Sequence, residues 1–410
     1  MTLRSSTILF AILALLLIAL PAATVALGQS ADSTGREGDS TALEKDAAGA
    51  LAAGELDRAD SDLSSVLRRS PNDPRALNLL GMVRAAQQRN ADAEQLFKKV
   101  IRLSPRSANG YVNLGLLYLQ MSKGQQAIPQ FQEALRLEPN RTDALGALLN
   151  ELRAEAHDSV LGGNLEKALS LLIAARKASP KNPDVLYDFG YVALRMSLYP
   201  DAETAFKQVL GIRADDARAL YGMGRAQIGL GKFEDASGTF SRYAKLNPQD
   251  ASGHYALGLT LASLEQFPGA RTEFQRSIEL QPAQTESYVE LGRIELTQED
   301  FQAARIDFDR ALQIDPHHAE ALSGMGRVEF AGKDYENAAG DFQSSIAVDS
   351  SQREPHYYLG LTYARLGRTA DSENELKIAG EREREDFARH RVVMKLLEPG
   401  PAAQTPAKNP

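Results

Sequence analysis

One spacing governs this sequence: small residues recur every 34 positions, in two registers, over most of the chain. With repeats begun at Ser40, Pro74, Ala108, Leu149, Pro183, Ala217, Ala251, Thr285, Ala319 and Arg353, the eighth residue is always Ala or Gly, from Ala47 and Gly81 through to Gly360. The twentieth residue is Ala in nine repeats and Ser372 in the tenth. A fixed period of this length marks stacked copies of one supersecondary element, so the 410 residues are not to be divided into ordinary domains.

The neighbouring positions give the reason for the small residues. Position 24 is Phe97, Phe131, Phe206, Phe240, Phe274, Phe308 or Phe342 in seven repeats and Leu in the other three. Position seven is mostly Leu, Phe or Met. Large side chains beside invariantly small ones predict two helices per repeat in close contact, where anything larger than Ala would push them apart. Proline near position 32, as in Pro105, Pro139 and Pro248, stops the second helix and starts the next repeat. A glycine such as Gly231 separates the two helices in mid-repeat.

Segments such as Tyr111-Val112-Asn113-Leu114-Gly115-Leu116-Leu117-Tyr118, followed by Ala127, Phe131, Ala134 and Pro139, resemble the tetratricopeptide repeat (TPR). The resemblance runs from about 40 to 386. It departs from the family pattern at position four, where Leu220, His254, Tyr288 and His356 replace the usual Trp, and at Asp46 in the first repeat. It implies an all-α fold: a right-handed α-solenoid (superhelix) of about ten TPR units of the exported multi-repeat type. The stretch Phe387, Ala388, Val392 and Leu396 has helical spacing and reads as a C-terminal capping helix over 387–398, followed by a disordered tail over 399–410. One interval is irregular. Pro139 to Pro180 spans 41 residues, so the fourth repeat starts at 142 or 149 and Asp143–Leu161 reads as a first helix lengthened by two turns. It is either a neutral insertion projecting from one face or a joint between two blocks of repeats.

Ahead of the array, Arg4 precedes an unbroken apolar run from Ile8 to Leu20 and then small residues up to Gly28. Thirteen apolar residues are short for a membrane span, which takes ~20. Residues 1–28 therefore read as a signal peptide, cleaved after Gly28 or Ala26, and the chain as exported, periplasmic or secreted. The alternative is an uncleaved membrane anchor through residues 7–27. Residues 29–39, rich in Gly and Ser, read as a flexible linker.

Catalytic chemistry finds no footing. There is no cysteine, and no phosphate-binding Gly-rich loop, nucleophile elbow or His-Glu-x-x-His. The Gly222-Met223-Gly224 and Gly324-Met325-Gly326 motifs fall inside first helices, where one glycine is the required small residue. His254 and His356 sit where a packing residue belongs, and His317-His318 lacks the spaced ligands a metal needs. The expectation is a non-enzyme with no cofactor and no metal. A net charge of −8 without a basic run also argues against nucleic acid.

What remains is recognition. The resemblance places positions 2, 5, 9 and 12 of each repeat on a concave wall of first helices. Those positions give Tyr187, Tyr191, Tyr221, Arg225, Tyr255, Arg293, Arg327, Phe330 and Tyr357 as candidate partner-binding residues. Tyr and Arg dominate binding hot spots, although Tyr at position five is common in the family whatever the ligand. Acidic neighbours Asp184, Asp188, Glu286, Glu290 and Glu320 make the wall mixed in charge. The reading is a protein-interaction scaffold holding a peptide or protein partner in that groove, with arginines facing partner carboxylates. Self-association as a structural component of an envelope complex is the alternative. An accessory role in a saccharide or lipid pathway has only the aromatic lining behind it.

Overall fold

The computed structural model describes residues 34–396, with side chains over 40–385. Among the described residues there are twenty α-helices and no strand, arranged as ten consecutive pairs. The first helices are α1 (Thr34–Ala52), α3 (Pro74–Ala86), α5 (Ala108–Gln120), α7 (Thr142–Leu161), α9 (Pro183–Arg195), α11 (Ala217–Gly229), α13 (Ala251–Ser263), α15 (Thr285–Thr297), α17 (Ala319–Ala331) and α19 (Arg353–Arg365). Their partners are α2 (Leu56–Arg69), α4 (Asn90–Leu103), α6 (Gly124–Leu137), α8 (Leu165–Ala178), α10 (Tyr199–Ile212), α12 (Phe233–Leu246), α14 (Phe267–Leu280), α16 (Phe301–Ile314), α18 (Tyr335–Val348) and α20 (Thr369–Leu396). The chain divides into two compact bodies, one up to Ala214 and one from Asp215 on. No described helix is long and apolar enough to cross a membrane.

Seven of the ten pairs close on one recurrent contact. A methyl group built on Gly81 would lie 2.5 Å from the Phe97 ring, on Gly115 2.7 Å from Phe131, and on Gly258 2.7 Å from Phe274. The ring thus occupies the space a side chain at position eight would need. Burial is complete: the position-24 phenylalanines are at most 1% exposed, and the position-20 alanines from Ala59 to Ala338 are 0% exposed. Burying one such ring removes enough apolar surface to stabilise the pair by roughly 1.5–3 kcal/mol.

The mid-repeat turn is as regular as the contact. Every repeat puts its fifteenth residue at positive φ, including Gly54, Gly163, Gly231 and Gly367, with φ of 69–78°. The expectation of glycine there holds in these four only. Gln88, Ser122, Ser197, Glu265, Glu299 and Lys333 take the same conformation at φ 56–65°. The turn tolerates them because it satisfies the helix end: after Gln88, Arg89 N–H donates back to Arg84 O at 2.8 Å and Gln88 N–H to Ala85 O at 3.0 Å. Those bonds offset the ~1–2 kcal/mol that a left-handed residue costs.

Three further expectations are revised. First, α1 begins at Thr34, inside the stretch read as a linker over 29–39. Extending a nucleated helix costs far less than starting one, so the polar residues before Ser40 continue it. Second, the separate capping helix over 387–398 is absent as such. The second helix of the last repeat runs unbroken to Leu396. Arg384 stands where seven of the other repeats have proline, and Arg382 pairs with Glu385 at 3.0 Å along the helix surface, which supports the continued helix. α10 and α18 end before Ala214 and Ser350, so a missing proline does not by itself carry a helix on. Third, the two extra turns of α7 do not merely project. Ala144 and Leu148 are 0% and 2% exposed, and Leu148 and Leu152 belong to the same apolar cluster as Leu114 and Phe131. The core therefore continues through the fourth repeat, and the division between bodies falls after Ala214 instead. The expected signal peptide and tail lie outside the described residues.

The contact has a direct test. Gly292→Ala places a methyl 2.8 Å from the Phe308 ring and should cost ~1–3 kcal/mol. Gly340→Ala, on α18 with nothing within 4 Å, should be neutral or stabilising by up to ~1 kcal/mol through helix propensity. Circular-dichroism melts of the two variants check the opposite signs.

Candidate functional site

In the body that ends at Ala214, two of the expected residues lie on α9. Tyr187 is half-buried with its ring 5.9 Å from Phe206, so it is part of the helix contact, while Tyr191 is 40% exposed. The acidic residues beside them are engaged. Asp188 accepts from Arg153 at 2.5 Å, and Asp184 from Arg213 at 2.7 Å.

The other seven lie in the body that begins at Asp215. Tyr255 on α13 has Glu286, Glu290 and Arg293 of α15 and Glu320 of α17 as its electrostatic neighbours, so first-helix residues of three successive repeats converge there. Burial first, then these carboxylates, hold the Tyr255 hydroxyl far above the ordinary phenol range. Burial also raises the Glu290 carboxyl, with Arg293 opposing. Beside this cluster a cavity of about 300 Å³ opens between α13 and α15, lined by Leu259, Ala262, Phe267, Ile294, Glu290 and Arg293. Ser263 and Thr297 complete the lining, so the recess is mixed, with four apolar side chains beside two hydroxyls and the Glu290–Arg293 ion pair.

The three arginines differ in kind. Arg293 donates to Glu290 at 3.1 Å, and Arg327 to Glu354 at 2.8 Å with its guanidinium 5.2 Å from the Tyr358 ring. Arg225 is exposed and forms no ion pair among the described residues. The aromatics differ too. Tyr221 packs 5.7 Å from Phe240 and 5.2 Å from Tyr243. Phe330 meets Tyr335 and Tyr358 edge-on, and Tyr357 is 39% exposed with Arg353 5.7 Å from its ring.

Sequence reasoning passed over Leu259, Phe267, Ile294, Tyr243 and Tyr358. Tyr243 had a readable signal. It stands where other repeats have a small residue, and a methyl on Gly253 would lie 2.5 Å from its ring, so the glycine makes the room. His254 and His356 are buried in the packing, as read, but each also bridges. Nδ1 lies 2.6 Å from Glu273 and Glu375 respectively, and Nε2 3.3 Å from the Pro248 and Ser350 carbonyls. His318 caps α17 by accepting from Ala321 N–H at 3.3 Å.

Family models described as tetratricopeptide repeat match residues 46–108, 112–183, 153–219, 255–319 and 289–355, and a further one matches 193–260. The chain belongs to the tetratricopeptide repeat family. A comparison with curated proteins gives no match. Among solved structures it is similar to PilW, a widely conserved type IV pilus biogenesis factor, at 20% identity over 49% of this chain and 93% of that one, with a TM-score of 0.45. MamA from Desulfovibrio magneticus RS-1 shares 22% identity over 42% and 96% of the two chains, at a TM-score of 0.40. The Cut9–Hcn1 tetramer of APC/C shares 13% over 84% and 88%, at 0.43.

Behind the wall, two carboxyl pairs tie the later repeats together. Glu295 on α15 is 6% exposed beside Asp307 of α16, with the Arg271 guanidinium of α14 3.2 Å away. One repeat on, Arg305 meets Glu329 at 2.6 Å beside Asp341. Burial, then the opposed carboxylate, pushes Glu295 up well above the carboxylate range. Burial, then Glu329, raises Asp341 from 3.8 to about 6. The folded chain binds these protons more tightly than the unfolded chain, so their contribution to stability falls as pH rises from about 4 to 6 at Asp341, and continues to fall above that at Glu295. Asp341→Asn should therefore gain on the wild type between pH 4.5 and 7, by on the order of 1–2 kcal/mol after solvent screening. Denaturant melts across that range check it.

Proposed function

We propose that this chain is a non-catalytic scaffold outside the cytoplasm that holds an extended or helical partner segment along the first-helix wall of the body from Asp215 on. The observation that carries the reading is the convergence at Tyr255. A recess with an apolar part, a half-buried aromatic and charges of both signs lie side by side on the first helices, the kind of setting in which hot spots occur. The partner places an apolar side chain in the recess between Leu259 and Ile294. A partner carboxylate meets Arg225, which forms no ion pair among the described residues. Arg293 and Arg327 are already paired, so they orient the wall more than they capture charge. The apolar run Ile8–Leu20 and the small residues up to Gly28 support export; the intact mass of the chain recovered from envelope extract tests it, with a start at Gln29 or Leu27 expected and an intact Met1 pointing to the anchor.

Site-specific photocrosslinking tests the groove. A crosslinker at Leu259 should give a discrete adduct from envelope extract, and one at Gly238, exposed on the second helix α12, should not. Arg225→Ala should weaken the Leu259 adduct about 5- to 30-fold, the range of a hot-spot truncation. Equal labelling at both positions, or an adduct indifferent to Arg225, removes the groove from consideration.

A further inference from the structure

The second repeat and the eighth carry opposite charge. Residues 74–107 hold seven arginines and lysines against two acidic residues, Asp92 and Glu94. Residues 285–318 hold eight acidic residues against three arginines. In a chain whose total is −8, this is segregation along the array and not an average composition.

The basic repeat gives its charge a shape. A cleft of about 560 Å³ is floored by Leu80 and Leu96 and rimmed by five cations. Three of them have anions of their own: Arg84 meets Asp60, Arg89 meets Asp92 at 2.5 Å, and Lys98 meets Glu94 at 2.6 Å. Two do not. Lys99 donates to the neutral Pro71 carbonyl at 2.8 Å, and Arg102 is exposed with no ion pair among the described residues. The cleft therefore keeps a surplus positive charge over an apolar floor.

Around the acidic eighth repeat, the mid-repeat turns show the complementary surface, with Lys333 the one cation in the turn of the ninth. Glu265, Glu299, Asp300 and Asp334 stand in the turns of the seventh, eighth and ninth repeats, all exposed, and none forms an ion pair among the described residues.

We propose that these surfaces meet between copies: the cleft of the second repeat on one chain takes the acidic mid-repeat turns of a second copy. The chain itself supplies the complementary surface, at its own concentration, and this singles out a second copy among anionic partners. Each copy carries one surface of each sign, so the contact is heterologous. Two copies that exchange both contacts close at two, and copies that exchange one leave a cleft and a set of turns free and grow with concentration. The attraction is between exposed charges, so salt weakens it.

Sedimentation velocity of the purified full chain tests this. At roughly 20 mM salt the average mass should climb with concentration, and at roughly 500 mM it should fall towards the 44.6 kDa of one chain. Apolar aggregation through the Ile8–Leu20 run would not be weakened by salt in this way. Two charge reversals locate the contact: Lys99→Glu with Arg102→Glu in the cleft, and Glu265→Lys with Glu299→Lys in the turns. Lysine suits these turns, since Lys333 holds the same position at φ 65°. Each double variant alone should associate at least about tenfold more weakly, as expected when opposed charges become like charges. Mixing the two should restore association, which damage to the fold cannot do. A wild-type chain that stays at one copy in low salt, a variant that associates like the wild type, or a mixture that stays monomeric overturns the proposal. Pyrophosphate binding by calorimetry, lost in the cleft variant while the wild type stays monomeric, would make the cleft a small-anion site and overturn it equally.

Discussion

The contact between position eight and the ring at position 24 is the constraint on which the rest depends. Opposite phenylalanine it brings the two helices of a repeat together at a distance that only glycine permits, and it does so with one of the largest side chains available. A glycine in mid-helix gives up roughly 1 kcal/mol of helix propensity. The buried ring returns more than that, so seven such pairings are a net stabilisation as well as a ruler. Because the ruler is the same in each repeat, each first helix presents its remaining positions in the same register. The wall that carries Tyr255, Arg293 and Arg327 is a by-product of that regularity.

This is also why so much of the fold was legible. A side chain that would collide is forbidden at every copy, so small residues at Gly81, Gly115 and Gly258 are visible in the sequence without any coordinates. Helix identity and register follow from them. The turn was only partly legible. Glycine marks it in Gly54, Gly163, Gly231 and Gly367, but backbone hydrogen bonds hold Ser122 or Lys333 in the same conformation, and residue type alone does not report such bonds. The end of the array was misread. α20 runs on past the place where most repeats have proline, while α10 and α18 end there without one, so residue type at that place does not report where a helix ends.

The candidate site was legible as a set of positions and not as chemistry. Tyr and Arg at positions five and nine were identifiable, yet Arg293 and Arg327 proved to be paired while Arg225 did not. Ion pairing depends on which residue the neighbouring repeat offers: Glu354 for Arg327, and no carboxylate for Arg225. The recess beside Leu259 was invisible for a related reason. It is made of ordinary apolar, hydroxyl and charged residues on α13, α14 and α15, each unexceptional in its own repeat. Periodic sequence thus reveals what every repeat shares, and conceals what arises where two particular repeats meet.

The claim that everything rests on the small-residue contact is tested most directly by a double-mutant cycle. Gly292→Ala is measured alone and in a Phe308→Leu background, where the smaller side chain leaves room for the added methyl. The account predicts that the cost of Gly292→Ala falls by roughly 1 kcal/mol or more in that background, well beyond the ~0.3–0.5 kcal/mol within which independent sites add. An unchanged cost in both backgrounds would show that the ring does not set the helix spacing, and would contradict it.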